Sequence, residues 1–184
     1  MSYKKTLILI SAFFLIPLES QADLFTYQLG QPSDRISGNT VVEIVFDGKN
    51  LWVGTGSGLS RTSDGGTSWE NFRTANGLNS DEISSLATKD SLLWVGTAVT
   101  QIREGEPMPF GTGFNKSTNF GANWLSFRPE QANFANKIAY DIALADNFVW
   151  ASCFAGGLIR TKNDLVWENV FVDTVARRNY RDFF

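Results

Sequence analysis

The stretch "RTSDGGTSWENF", Arg61 to Phe72, places an acid, two glycines and a tryptophan in one turn. Whether Asp64 performs chemistry there or only holds the turn decides the fold, because a turn acid makes the stretch one tile of a repeated structure. The stretch does recur. Thr62-x-Asp64-x-Gly66-x-Ser68-Trp69 becomes Ser117-x-Asn119-x-Gly121-x-Asn123-Trp124, and then a shortened Thr161-x-Asn163 leading to Trp167. An amide replaces the acid in two of the three copies. A carboxylate acting as acid, base or metal ligand would be lost by that change, whereas a side-chain oxygen accepting bonds from backbone N–H groups survives it. Asp64 is therefore read as a residue that holds a turn, Gly66 as the supplier of a positive φ, and Trp69 as a ring that buries itself against the strand that follows.

The residues before the turn repeat as well. "NLWVGTGSGLSRT" at Asn50 to Thr62 has a counterpart in "LLWVGT" at Leu92 to Thr97, continued by "GFNKS" at Gly113 to Ser117, and a weaker one in "FVWASCFAGGLIRT" at Phe148 to Thr161. Upstream of each tryptophan the apolar positions agree: Val41 and Ile44 before Trp52, Ile83 and Leu86 before Trp94, Ala139 and Ile142 before Trp150. Alignment without gaps over such a span identifies an internal repeat. Within the first copy, "VVEIVF", "LWVGT", "GLSRT" and "WENFR" read as four strands separated by Gly, Asp or Asn, a four-stranded meander.

The boxed turn resembles the Asp-box, or BNR repeat, of sialidase-like and other β-propellers. "LWVGTGSGL", followed by "GLNSDEISSL" at Gly77 to Leu86, is similar to the repeat of the two-component-regulator propellers, which are extracellular sensor modules. The resemblance covers residues 41 to 172. It implies an all-β β-propeller, with blades at about 39–74, 81–129 and 137–173. Motifs of this kind mark blades and not ligands, so no catalytic, cofactor-binding or metal-ligating residue is assigned from them.

The second copy is longer than the others. Trp52 to Trp69 and Trp150 to Trp167 each span 17 positions, but Trp94 to Trp124 spans 30, so thirteen residues are inserted after Thr97, within "AVTQIREGEPMPFGTG". Alternate loops of an antiparallel meander emerge on the same side. The inserted loop thus shares a face with the connections between blades, the ligand face of the propellers this chain resembles. Arg103, Glu104, Glu106 and Phe110 become candidate ligand-face residues, the alternative being a neutral surface loop.

Composition narrows the function classes. The 184 residues are 43% hydrophobic and 14% aromatic, with 16 glycines and 19% charged residues, the balance of a globular domain of short strands and many turns. The opening "MSYKKTLILISAFFLIPLESQA" has two lysines, a short apolar run containing Pro17, and Ser20-Gln21-Ala22, which reads as a signal peptide over residues 1–22 and not as a stable membrane span. Its removal leaves 14 basic and 18 acidic residues, a balance unsuited to nucleic acid. Cys153 is the one cysteine and reads as a small buried side chain. With no histidine in the chain, the usual zinc sites and Ser-His-Asp machinery are absent, and no cofactor is expected.

Three blades do not close a ring, since propellers have four to eight and a complete parent of six to eight blades is expected. "LFTYQL", Leu24 to Leu29, reads as an orphan closing strand, followed by a polar loop and the first strand of the first blade. The segment 174–184, "TVARRNYRDFF", reads as the start of a missing blade, and the chain as a fragment whose partners are the remaining blades of a longer chain or, through self-association, a second copy. Two functions follow. One is an exported, non-catalytic binding or scaffold module for a protein or polysaccharide, located in the periplasm, on the cell surface or outside the cell, either free or as the sensor part of a larger receptor. The other is a fragment of a sialidase-like glycoside hydrolase.

Overall fold

The computed structural model describes residues 30–128, 138–154 and 157–170. The expected signal peptide, the closing strand Leu24 to Leu29 and the segment 174–184 lie outside the described residues. Those described form three antiparallel sheets. The first is a meander of β2 (Val41–Phe46), β3 (Leu51–Thr55), β4 (Gly58–Thr62) and β5 (Trp69–Phe72), and a short β1 (Gln31–Ser33) adds to its outer edge beside β5. The second runs β6 (Glu82–Lys89), β7 (Leu92–Arg103), β8 (Glu106–Ser117), β9 (Leu125–Phe127), and the third β10 (Ile138–Ala145), β11 (Phe148–Phe154), β12 (Gly157–Thr161), β13 (Trp167–Val170). A single 3-10 turn, Thr74–Asn76, links the first two sheets, and among the described residues no helix is long and apolar enough to cross a membrane.

The sheets are stacked face to face in chain order, which explains their sequences. β3 and the matching part of β7 lie mid-sheet and are buried almost throughout, so they read as runs of apolar and small residues instead of alternating. The glycine in each run lets the layers approach. A Cβ on Gly54 would stand 2.8 Å from the Ile83 side chain of the next sheet. Between the first two sheets Trp52, Leu59 and Phe72 meet Ile83, Leu86, Leu93, Val95 and Trp124. Between the second and third, Trp94, Phe114 and Phe127 meet Ala139, Ile142, Val149, Ile159 and Trp167, with Cys153 buried in the same cluster.

Each innermost strand carries a bulge at the same place, between Val41 and Glu43, Ile83 and Ser85, and Ala139 and Asp141. At the first bulge Glu43 reaches across to the next sheet and accepts the Leu86 N–H at 2.5 Å. Burial raises the Glu43 carboxyl above its ordinary range, the Leu86 bond opposes this, and the nearby Asp141 charge adds to it.

Two sequence readings need correction. The polar loop expected before the first blade contains β1, whose Gln-Pro-Ser has no apolar alternation to announce a strand but still pairs with β5. The insertion is not an irregular loop. β7 and β8 simply continue past the blade as a paired ribbon from Ala98 opposite Gly111 to Arg103 opposite Glu106.

Candidate functional site

The boxed turns lie at one end of the sheets. In the first, the Thr62 hydroxyl accepts the N–H of Gly66 at 3.0 Å and donates to Asp64, and the Asp64 carboxylate accepts the Ser68 N–H at 2.9 Å and the Ser68 hydroxyl at 2.5 Å. Those bonds, the Ser68 hydroxyl foremost, hold the Asp64 carboxyl down at about 2. The second turn repeats the backbone pattern with an amide: Asn119 accepts the Asn123 N–H at 2.9 Å, and Ser117 accepts the Gly121 N–H at 2.8 Å. In the third, Asn163 accepts from Val166 N–H at 2.9 Å while Thr161 heads the turn. The residue after the acid or amide takes a positive φ every time: Gly65 at 71°, Phe120 at 55°, Asp164 at 66°. The turn geometry is thus kept even where a side chain must bear that conformation.

The tryptophans that end these turns bury against the preceding sheet, not against their own following strand. Trp124 meets Phe72 edge-on at 5.9 Å, and Trp167 stacks on Phe114 at 4.6 Å. Trp69 has no preceding sheet among the described residues and stays partly exposed. On the same face Ile44 is 58% exposed where its counterparts Leu86 and Ile142 are 1% and 5%. At the other end of the stack Leu158 is 36% exposed where Leu59 and Phe114 are fully buried. Both terminal faces therefore carry interface residues that the described residues do not cover.

The candidate residues from the insertion lie at the opposite end from the turns, on the β7–β8 arm. Arg103 sits over the Phe110 ring at 4.2 Å, and Glu104 and Gly105 form the tip with φ of 53° and 88°. Glu106 pairs with Arg103 in the ribbon. The arm is fastened at its root, where Glu82 accepts the Thr100 N–H at 3.1 Å and the Thr100 hydroxyl at 3.0 Å. Further out Ile102 is 70% exposed and Met108 is exposed too. β9 pairs with β8 only from Phe114 to Lys116, so the outer edge of residues 106–111 has no neighbouring strand among those described.

A second feature was missed in the sequence although its signal is there, five residues before each of three tryptophans: Asp47, Lys89 and Ala145. In the first sheet the Asp47 carboxylate accepts the Trp52 Nε1–H and the Asn50 amide, each at 2.8 Å, together with the N–H groups of Lys49 and Asn50. Burial raises its carboxyl, and these bonds outweigh burial to leave it lowered. In the second sheet Lys89 stands in that place, and the buried Trp94 Nε1 has no partner among the described residues. Beside it is a cavity of about 270 Å³ between the second and third sheets. A row of cations runs along the same end: Arg61 bonds the Phe120 carbonyl of the next sheet, and Lys116 bonds Asp164 of the sheet after it. Arg160 holds the equivalent place in the third sheet and pairs with its own Glu168 at 3.1 Å. Among the described residues no group of acids, histidines or cysteines converges to hold a metal.

No protein-family model matches the chain, and no curated protein matches it. Solved structures do. An ancestral GH74 enzyme superposes with a TM-score of 0.54 at 18% identity, over 81% of this chain and 20% of that one. YCF48 from Cyanidioschyzon merolae gives 0.51 at 20% identity, over 77% and 40%, and YCF48 bound to a D1 peptide gives 0.50 at 18%, over 78% and 44%. The chain thus spans less than half the length of these neighbours. Identities this low speak for the fold alone, and the fold is an incomplete β-propeller with three four-stranded blades.

Proposed function

We propose that the chain is part of an exported, non-catalytic propeller that binds a protein partner with the face from which the β7–β8 arm projects. The arm carries the reading. A two-stranded ribbon alone is marginal in water, yet this one is anchored at Thr100, presents Met108 to solvent on the face of the Arg103–Phe110 pair and Ile102 on the opposite face, and leaves a strand edge open. Open edges invite an added strand, and exposed apolar, aromatic and arginine side chains are the residues that anchor a partner. The boxed turns, including Asp64, Asn119 and Asn163, are scaffold. The finer kinship, to Asp-box and two-component-regulator propellers, is part of this proposal, as is the export signal at residues 1–22. A peptide is bound by one YCF48 structure of the same fold, which accords with a peptide or protein ligand. No observation among the described residues favours the hydrolase alternative. The terminal faces, with Ile44 and Trp69 at one end and Leu158 and Trp150 at the other, are to be covered by further blades or a second copy.

The test is to shorten the arm, replacing Val99–Phe110 by a two-residue turn like that of the first blade, and to screen both forms on a random-peptide display library and a polysaccharide array. Peptides enriched by the full arm and lost on shortening, with an unchanged unfolding midpoint, support the proposal. Polysaccharide binding that the shortened form retains would refute it.

A further inference from the structure

Within the chain each blade seats on the next through matched residues, and the repeat places their counterparts on the two terminal faces. Trp124 of the second blade meets Phe72 of the first, and Trp167 of the third stacks on Phe114 of the second. Arg61 bonds the Phe120 carbonyl and Lys116 bonds Asp164, each time the residue after the amide of the next boxed turn. At the inner rim Glu43 accepts the Leu86 N–H at 2.5 Å. By strand register the third blade holds Trp150, Leu158, Arg160 and Asp141 where the first holds Trp52, Leu59, Arg61 and Glu43, and none of the four is buried. One side of the contact is thus present and open.

The first blade presents the other side. Val41, Ile44 and Trp69 stand where the second blade has the buried Ile83, Leu86 and Trp124, and they are exposed or partly exposed. The outer part of this face is covered from within the chain: the Ser37 N–H donates to the Ser60 hydroxyl at 2.8 Å, and the Asn71 amide to the Arg35 carbonyl at 3.1 Å. In the second blade Asn79, on the link between blades, has this role. Its N–H donates to the Asn115 side chain at 2.8 Å and its side chain accepts the Ser126 hydroxyl, while the first blade covers the inner part around Leu86. Arg35 and Ser37 therefore stand in for such a link, and what they leave open is the seat that a preceding blade fills.

One position departs from the pattern. A Cβ on Gly54 would stand 2.8 Å from the Ile83 side chain, and one on Gly96 3.2 Å from the Ala139 Cβ, so glycine sets the spacing of the layers. The third blade has Ser152 in that place. Its inner rim closes less tightly on Val41, the counterpart of Ile83.

We propose that the two terminal faces form one interface, the third blade of one copy seated on the first blade of another, so that two copies close a six-bladed ring. The faces are unlike, so the contact is head to tail, and such contacts either close a ring or run on into filaments. Two copies of three blades make six, inside the four to eight of closed propellers, whereas three copies would exceed it. Across the seam Trp69 covers Leu158 and Trp150, Arg160 reaches the Gly65 carbonyl, and Asp141 accepts the Ile44 N–H. Ser152 makes the seam weaker than those within the chain. The arm belongs to the second blade, so this interface stands or falls independently of the binding function proposed above.

The test is disulfide trapping of the full chain in a Cys153→Thr background, threonine being the residue at that position in the other two blades. A Cβ on Gly54 would lie 3.4 Å from that of Ile83, close to the about 3.5–4.5 Å a disulfide needs. Val41→Cys and Ser152→Cys on one chain stand on opposite faces and cannot join within it; on air oxidation they are expected to join copies into covalent pairs. A 1:1 mixture of the two single variants, one labelled with ¹⁵N, should give pairs of one labelled and one unlabelled copy by mass. Each single variant alone should stay at the background set by mixing Val41→Cys with Glu104→Cys, whose thiol lies on the arm. Ser152→Gly, followed by sedimentation velocity, should tighten association about fivefold or more. Pairing of a single variant with itself would mean that like faces meet and would overturn the proposal, as would a ladder of longer species or association that Ser152→Gly leaves unchanged. Pairing no better than background would overturn it too, and would assign both faces to further blades.

Discussion

Replacing Trp124 by alanine removes the side chain that anchors the second blade on the first. Its ring is buried, edge-on to Phe72 at 5.9 Å, and its Cβ would lie 3.6 Å from one placed on Gly77. A tryptophan buries about 200 Å², which at about 25 cal/mol per Å² amounts to roughly 5 kcal/mol. Its Nε1 is buried without a partner among the described residues, so removing it recovers roughly 1–3 kcal/mol. The expected net loss is about 2–4 kcal/mol, the lower part of the range for emptying an aromatic core site. Trp69 ends the equivalent turn but is only partly buried, so Trp69→Ala should cost about half as much in dilute solution, roughly 1–2 kcal/mol. Urea unfolding followed by fluorescence measures both, with equal m-values required for the comparison. A Trp124→Ala variant no less stable than Trp69→Ala would refute the claim that these rings work between blades and not within their own turn.

Asp64→Asn should preserve the turn at pH 7, because Asn119 accepts the same backbone bond in the second blade; its unfolding midpoint should fall far less than that of Trp124→Ala. The Asp64 carboxyl is lowered from 3.8 to about 2, so its contribution is complete above pH 4 and fades as the pH falls towards 2; the midpoints of wild type and Asp64→Asn should converge over that window, and parallel curves would contradict this. Glu43 has the opposite sign. Its carboxyl is raised by burial, so ionisation opposes folding above pH 4.5, and Glu43→Gln, which still offers an oxygen to the Leu86 N–H, should match or exceed the wild-type midpoint at neutral pH; a clear loss there would contradict the burial argument.

The strands of the first blade were legible because tryptophan and glycine fix the phase: β2, β3 and β4 coincide with "VVEIVF", "LWVGT" and "GLSRT". The arm was not, because Gly105, Pro107, Pro109 and Gly111 read as loop punctuation. Proline is tolerated at a sheet edge, and Pro107 and Pro109 lie where β8 has run beyond β9. β1 was invisible for want of any apolar pattern. The burial of Trp124 against the preceding blade needed three dimensions, since Phe72 is far away in sequence. The seat of Asp47 was half legible: the replacement of Asp47 by Lys89 is plain once the copies are aligned, but only the structure shows that Asp47 sits on the Trp52 indole.

The central claim is that this chain consists of propeller blades whose outermost faces are built for cover. Sedimentation velocity over a range of concentrations, paired with hydroxyl-radical footprinting of Ile44 and Leu158, tests it most directly. Association that strengthens with concentration is expected, with Ile44 and Leu158, 58% and 36% exposed, becoming protected as the larger species forms. A monodisperse monomer at all concentrations, with both side chains already protected, would contradict it.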